Sequence, residues 1–155
     1  MSEQTVYLTR EGYERLQSEL DYLRKVRRQE VARRLHDALA EGDLLENAEL
    51  EAARNEQAFV EGRILELERM LGSAEIIEAA QSGEVVSLGS RVTIVEDNYP
   101  PETYHIIDSA EADPSEGRIS FKSPLGRALM GRRVGDEVRV NAPDGVIVFH
   151  VVEIH

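Results

Sequence analysis

Asp43 and Glu46 stand three positions apart in Glu41-Gly42-Asp43-Leu44-Leu45-Glu46-Asn47-Ala48-Glu49, a strongly acidic turn between two long helical patterns. At the start of a helix that spacing brings both side chains to one side, with Cβ atoms about 5–6 Å apart. Two carboxylates so placed can converge on one divalent ion. Magnesium commonly takes one or two protein carboxylates and fills its other positions with water or phosphate oxygens. The pair is too few ligands for a tight site on the free protein. It suits the completion of a site whose other ligands belong to another molecule. The same residues leave a second reading open. Aspartate followed three positions later by glutamate has the form of a capping box, and negative charge at a helix head suits the helix dipole. Both can hold together, because a capping aspartate can still turn one oxygen outward. Glu41, Glu49 and Glu51 read as solubilising.

The elements on either side must present that turn. Leu16, Leu20, Leu23, Val31 and Leu35 fall at three- and four-residue steps, which predicts a helix over about 10–39 with Thr9 as N-cap and Gly42 as its stop. Ala53, Val60, Ile64, Leu67 and Leu71 give a second helix, over about 44–71, a narrow row at heptad-like spacing that Gly72 closes. Each row is narrow enough to pair with one neighbour, and the short connection makes the helices antiparallel. Helices of that length form an arm of roughly 40–45 Å.

Near Gly83 the pattern changes to strand formers at Val85, Leu88, Val92, Ile94 and Val95, then at Thr103 to Ile107 and Ile119 to Phe121. Glu137 to Val140 and Val146 to Ile154 flank the turn Asn141-Ala142-Pro143-Asp144-Gly145. Between them Ser123 caps a short helix that Pro124 opens and Gly131 ends, with Leu125, Ala128, Leu129 and Met130 on one side. The fold class is α+β: an N-terminal antiparallel coiled-coil hairpin over residues 1–78, then a small antiparallel sheet with one short helix over 79–155. Residues 79–83 are the expected linker.

Composition narrows the function classes. A net charge of -12 keeps the chain soluble and opposes general binding to nucleic-acid phosphates. The absence of cysteine excludes disulfides, thiolate zinc sites and thiol nucleophiles. No apolar h-region follows Met1 and no apolar run is long enough to span a membrane, so a cytoplasmic protein is expected. Charge is also uneven along the chain. Arg24, Lys25, Arg27, Arg28, Arg33 and Arg34 crowd the first helix with Glu30 the only acid among them. Asp37, Glu41, Asp43, Glu46, Glu49, Glu51 and Glu56 follow, against Arg54 alone. Such a collar behind an acidic tip can orient a charged partner, or be a solvated face laced with pairs such as Glu30 to Arg34. There is no phosphate-binding glycine loop and no nucleophile elbow. His36, His105, His150 and His155 have no paired ligand spacing, and Met70 and Met130 read as packing.

Several segments together resemble bacterial GreA-type transcript cleavage factors. They are Leu8-Thr9-Arg10-Glu11-Gly12, Val26-Arg27-Arg28, Gly42 to Glu49, Ala52-Ala53-Arg54-Asn55-Glu56-Gln57, Glu61-Gly62-Arg63-Ile64, and Ser123-Pro124-Leu125-Gly126-Arg127-Ala128-Leu129-Met130-Gly131. Order and spacing match over nearly the whole chain. The resemblance implies an FKBP-like C-terminal domain that docks at the secondary channel of bacterial RNA polymerase through Ser123, Pro124, Leu125 and Gly126. It implies a hairpin that reaches the catalytic centre, where the polymerase itself cleaves the nascent RNA 3′ end of a backtracked complex. The factor is then an accessory protein, not an enzyme. Asp43 and Glu46 would help hold a second Mg2+, shared with the polymerase and not stably bound by the free protein, and orient the attacking water. Asn47 and Arg54 would meet the RNA near the tip. A monomer with no membrane contact is expected. Leu45 and Leu50 depart from the family, which usually has a basic and an aromatic residue there. A related alternative is a Gre-like paralogue that occupies the channel and regulates or inhibits the polymerase without efficient cleavage. A prolyl isomerase or chaperone would want an aromatic-lined pocket, for which the second half offers only Tyr99, Tyr104, Phe121 and Phe149.

Overall fold

A computed structural model describes residues 5–40, 48–78 and 83–155. The Gly42 stop, the first residues of the expected second helix and most of the expected linker lie outside the described residues. By compactness Tyr13–Ser73 forms one unit, and Met1–Gly12 joins Ala74–His155 in the other. The division at 78 and 79 follows chain order, whereas the compact units follow strand pairing, as described below.

The first unit is the helical hairpin. Its leading helix begins as α1, Arg10–Tyr22, passes through a π-helical turn at Leu23–Arg27, and continues as α2, Arg28–Ala40. The reason for the π-turn is legible in the side chains. Leu16 and Leu23 lie a heptad apart, and the same step repeated would bring Glu30 and then Asp37 to the seam. A π-turn adds one residue, so Val31 and Ala38 arrive there instead and are buried, at 1% and 5% exposure. The returning helix α3, Ala48–Gly72, buries Leu50, Ala53, Val60, Ile64, Leu67 and Met70. Leu35 and Leu71, expected in the rows, are half-buried. Ion pairs flank the seam: Glu19 with Arg63 at 2.7 Å, Arg24 with Glu68 at 3.4 Å, and Arg28 with Glu61 at 2.8 Å. From Arg24–Glu68 through Arg28–Glu61 to Arg34–Glu56 the number climbs on one helix as it falls on the other, so the two run antiparallel. Each exposed pair contributes only about 0–1 kcal/mol, so apolar burial carries the hairpin and the charges fix its register.

The second unit opens with β1, Val6–Thr9, which pairs in parallel with β2, Ala74–Ile77. Nothing in four-residue segments announced this pair. Parallel neighbours need a long crossover, and residues 10–73 are that crossover in chain order. Carboxylates from elsewhere in the unit secure β1. Asp108 accepts the Tyr7 N–H at 3.1 Å, and Glu111 accepts the Thr9 N–H and its hydroxyl, both at 2.8 Å. Thr9 Oγ1 in turn accepts the Gly12 N–H at 2.9 Å, the expected N-cap. Gly12 permits this approach, since a Cβ there would lie 2.0 Å from Glu111 Oε1.

The main sheet has five strands in the order β5-β4-β3-β7-β6: β3 Arg91–Glu96, β4 Glu102–Ile107, β5 Arg118–Ser120, β6 Glu137–Ala142 and β7 Gly145–Ile154. It is mixed, which corrects the expectation of an antiparallel sheet. β4 and β5 run parallel because the chain between them doubles back through 3-10 turns at Ser109–Glu111 and Pro114–Glu116. Val85 to Leu88 form no strand. Val86 instead exchanges backbone hydrogen bonds with Gly131 and Arg132, at 2.9 and 2.8 Å, and buries its side chain. The core joins Val86, Val92, Ile94, Ile106, Ile119, Leu129, Val138, Val151 and Ile154. Leu129 comes from α4, Pro124–Leu129. Ser123 caps that helix by accepting the Gly126 N–H at 3.1 Å, and Gly131 leaves it at φ 80°.

Two substitutions test these constraints. Thr9→Val removes the cap and one donor to buried Glu111, and thermal unfolding should show a loss of about 1–2 kcal/mol. Gly126→Ala would set a Cβ 2.0 Å from the Ser120 carbonyl oxygen. Overpacking of that kind costs about 1–3 kcal/mol, readable in the same melt, and an unchanged midpoint would contradict the close approach.

Candidate functional site

Asp43, Glu46 and Asn47 lie outside the described residues, as do Leu45 and the rest of 41–47. The structure does describe what frames them. α2 ends at Ala40 and α3 begins at Ala48, so seven residues join two antiparallel helices. Arg54, on α3, is exposed. Leu50 is 9% exposed and belongs to the buried row of α3. Its role at this position is packing, which explains why an aliphatic side chain is stable there.

The basic collar is largely engaged with acids of the facing helix. Arg24 meets Glu68, Arg28 meets Glu61, and Arg34 meets both Glu56 and, at 3.8 Å, Glu49. The bidentate contact with Glu61 raises the Arg28 pKa further above its ordinary value. Glu30 faces Arg27 at 3.5 Å, while Arg34, its expected partner, reaches across the hairpin. Lys25 and Arg33 are exposed. Glu56 was grouped by sequence with the tip acids. The structure places it within the seam, between Arg27 and Arg34. Its heptad distance from Glu49 was the available signal.

Ser123, Pro124, Leu125 and Gly126 form one turn in the sheet unit. Ser123 donates its hydroxyl to the Ser120 carbonyl at 2.6 Å as well as capping Gly126. Gly126 is buried and Leu125 packs against the core. Pro124 is exposed, between exposed Lys122 and Arg127. The Lys122 ammonium lies 5.6 Å from the centroid of the Phe121 ring. His105 sits on β4 with its pKa lowered by burial and by Arg91, consistent with a strand residue kept neutral. Among the described residues no group of three or more acids and histidines is placed to hold a metal ion.

Residues 6–76 match the family described as "Transcription elongation factor, N-terminal", and residues 80–155 match "Transcription elongation factor, GreA/GreB, C-term". The chain is 50% identical over 149 residues to transcription elongation factor GreA of Geobacillus kaustophilus, covering 95% of this chain and 94% of that protein. It is 48% identical over 151 residues to the GreA of Acetivibrio thermocellus, covering 96% and 95%. The crystal structure of GreA factor homolog 1 (Gfh1) of Thermus thermophilus is 39% identical, with 98% of this chain and 99% of that chain covered and a TM-score of 0.46. The buried seam and the capped turn at Ser123 thus fall within two matched regions that together span nearly all of the sequence, and the chain belongs to the GreA/GreB family of transcription elongation factors.

Proposed function

We propose that the protein stimulates the endonucleolytic activity of bacterial RNA polymerase, releasing the RNA 3′ end of backtracked complexes, by inserting its hairpin into the secondary channel. The observation that carries this is the spacing of Asp43 and Glu46 in the seven residues that join α2 to α3. A helix of 25 residues such as α3 extends about 37 Å, long enough to carry a turn deep into a channel.

In this reading the chain supplies carboxylates and position, and the polymerase supplies the rest. Asp43 and Glu46 offer oxygens to a shared Mg2+, which supplies Lewis-acid activation of water and charge stabilisation at the scissile phosphate. Two carboxylates match the share of a magnesium shell that a protein commonly fills, and no complete site is needed on the free chain. Arg54 is exposed on α3, and with Asn47 it would meet the RNA backbone. Pro124, with Lys122 and Arg127 beside it, offers the polymerase an exposed edge that Ser123 and Gly126 hold in shape. The chain acts as a monomer in the cytoplasm. Among the described residues no helix is long and apolar enough to cross a membrane.

Halted, backtracked polymerase given the protein should shorten its transcript from the 3′ end in a Mg2+-dependent way, while the protein alone cleaves nothing. Asp43→Ala or Glu46→Ala should lower that cleavage by about 100-fold with polymerase affinity retained. Slowed elongation without new short RNA would instead favour the channel-occupying regulator, and cleavage undiminished in the double variant would remove both carboxylates from the mechanism.

A further inference from the structure

The hairpin seam is uneven along its length. Toward the chain ends it buries Leu16, Leu20 and Leu23 with Ile64, Leu67 and Met70. Toward residues 41–47 it thins to Val31, Ala38, Ala53 and Val60, with Leu50 and half-buried Leu35. Each methylene lost from a buried position forfeits about 0.8 kcal/mol, so this end has much less apolar attraction holding the helices together. The ion pairs across the hairpin continue where the large side chains become fewer. Glu56, with its side chain 22% exposed, receives the guanidinium groups of Arg27 and Arg34 from the facing helix. Arg27 belongs to the π-turn and also lies 3.5 Å from Glu30. Arg34 also lies 3.8 Å from Glu49.

These contacts make a zigzag. Arg27 and Arg34 are one heptad apart, as are Glu56 and Glu49, so the successive contacts step toward the joining residues. A single ion pair lets two helices slide and roll. One carboxylate gripped from two points a heptad apart resists both motions. The zigzag ends at Glu49, the second residue of α3 and two positions from Asn47.

We propose that Glu56 is a positioning residue. Through Arg27 and Arg34 it fixes how α2 and α3 meet at the end bridged by residues 41–47, and so sets the presentation of Asp43 and Glu46. The link to those carboxylates rests on the proposed cleavage role. Glu56 touches neither metal nor RNA in this scheme.

The test uses the full chain, whose lack of cysteine makes labelling clean. Spin labels at Leu39→Cys and Glu51→Cys, both exposed, report the separation of the helices at that end. Glu56→Gln keeps the shape and removes the charge. It should broaden the distance distribution and raise the Mg2+ concentration for half-maximal cleavage by about fivefold, with less effect on the rate at saturating Mg2+ and none on polymerase affinity. Exchanging every charge of the zigzag, Glu30→Arg, Glu49→Arg and Glu56→Arg with Arg27→Glu and Arg34→Glu, should restore both readouts. High salt should mimic Glu56→Gln in the wild type, because the zigzag is partly exposed. An unchanged distance distribution and Mg2+ dependence in Glu56→Gln would overturn the proposal. If wild-type protein bound polymerase without any cleavage, the proposed function would fall, and the distance measurement alone would then decide the role of Glu56.

Discussion

A pair of helices has one line of contact, and every residue on that line must come round in phase with its counterpart. In this hairpin the phase set by Leu16 and Leu23 would deliver Glu30 and Asp37 into the seam. Burying those carboxylates without partners would cost several kcal/mol, far more than one distorted turn. The π-turn at Leu23–Arg27 resolves the conflict by admitting one extra residue, after which Val31 and Ala38 take the buried positions. Everything between that turn and Ala40 inherits its rotational setting from this single insertion.

Charge and apolar burial divide the work along the hairpin. Large aliphatic side chains dominate the segment nearer the chain ends, and fewer of them, with arginine-glutamate pairs that share Glu56 and Arg34, hold the remainder. An acidic chain gains from this arrangement in another way. The arginines that pair across the seam neutralise glutamates of α3, so part of the negative charge of the chain is offset along the helices.

What the sequence made legible was local. Thr9 and Ser123 cap the helices they were expected to cap, because a side-chain oxygen before a helical run has one dominant use. The two apolar rows were readable from their spacing, and so was the turn at Pro143–Asp144 that β6 and β7 share. The failures were long-range. β1 and β2 are four residues each and pair across 64 intervening residues, with no periodicity long enough to register. The parallel contact of β4 and β5 depends on where two 3-10 turns send the chain. Val85, Val86 and Leu88 have strand-forming side chains, but the backbone partners of Val86 lie in the segment after α4. At the candidate site, Asp43 and Glu46 stand out in the sequence by their spacing and lie outside the described residues. Glu56 was misfiled among the tip acids because its arginine partners are 22 and 29 positions away in sequence.

The parallel pair of β1 and β2 has a consequence for dissecting this molecule. A fragment cut at residue 79 would keep all five strands of the main sheet yet forfeit both segments that belong to the same compact unit. Asp108 and Glu111 would then lose the hydrogen bonds they accept from Tyr7 and Thr9. Stitching Val6–Gly12 and Ala74–Ile77 back onto such a piece, through a short artificial loop, is what an autonomous version would require.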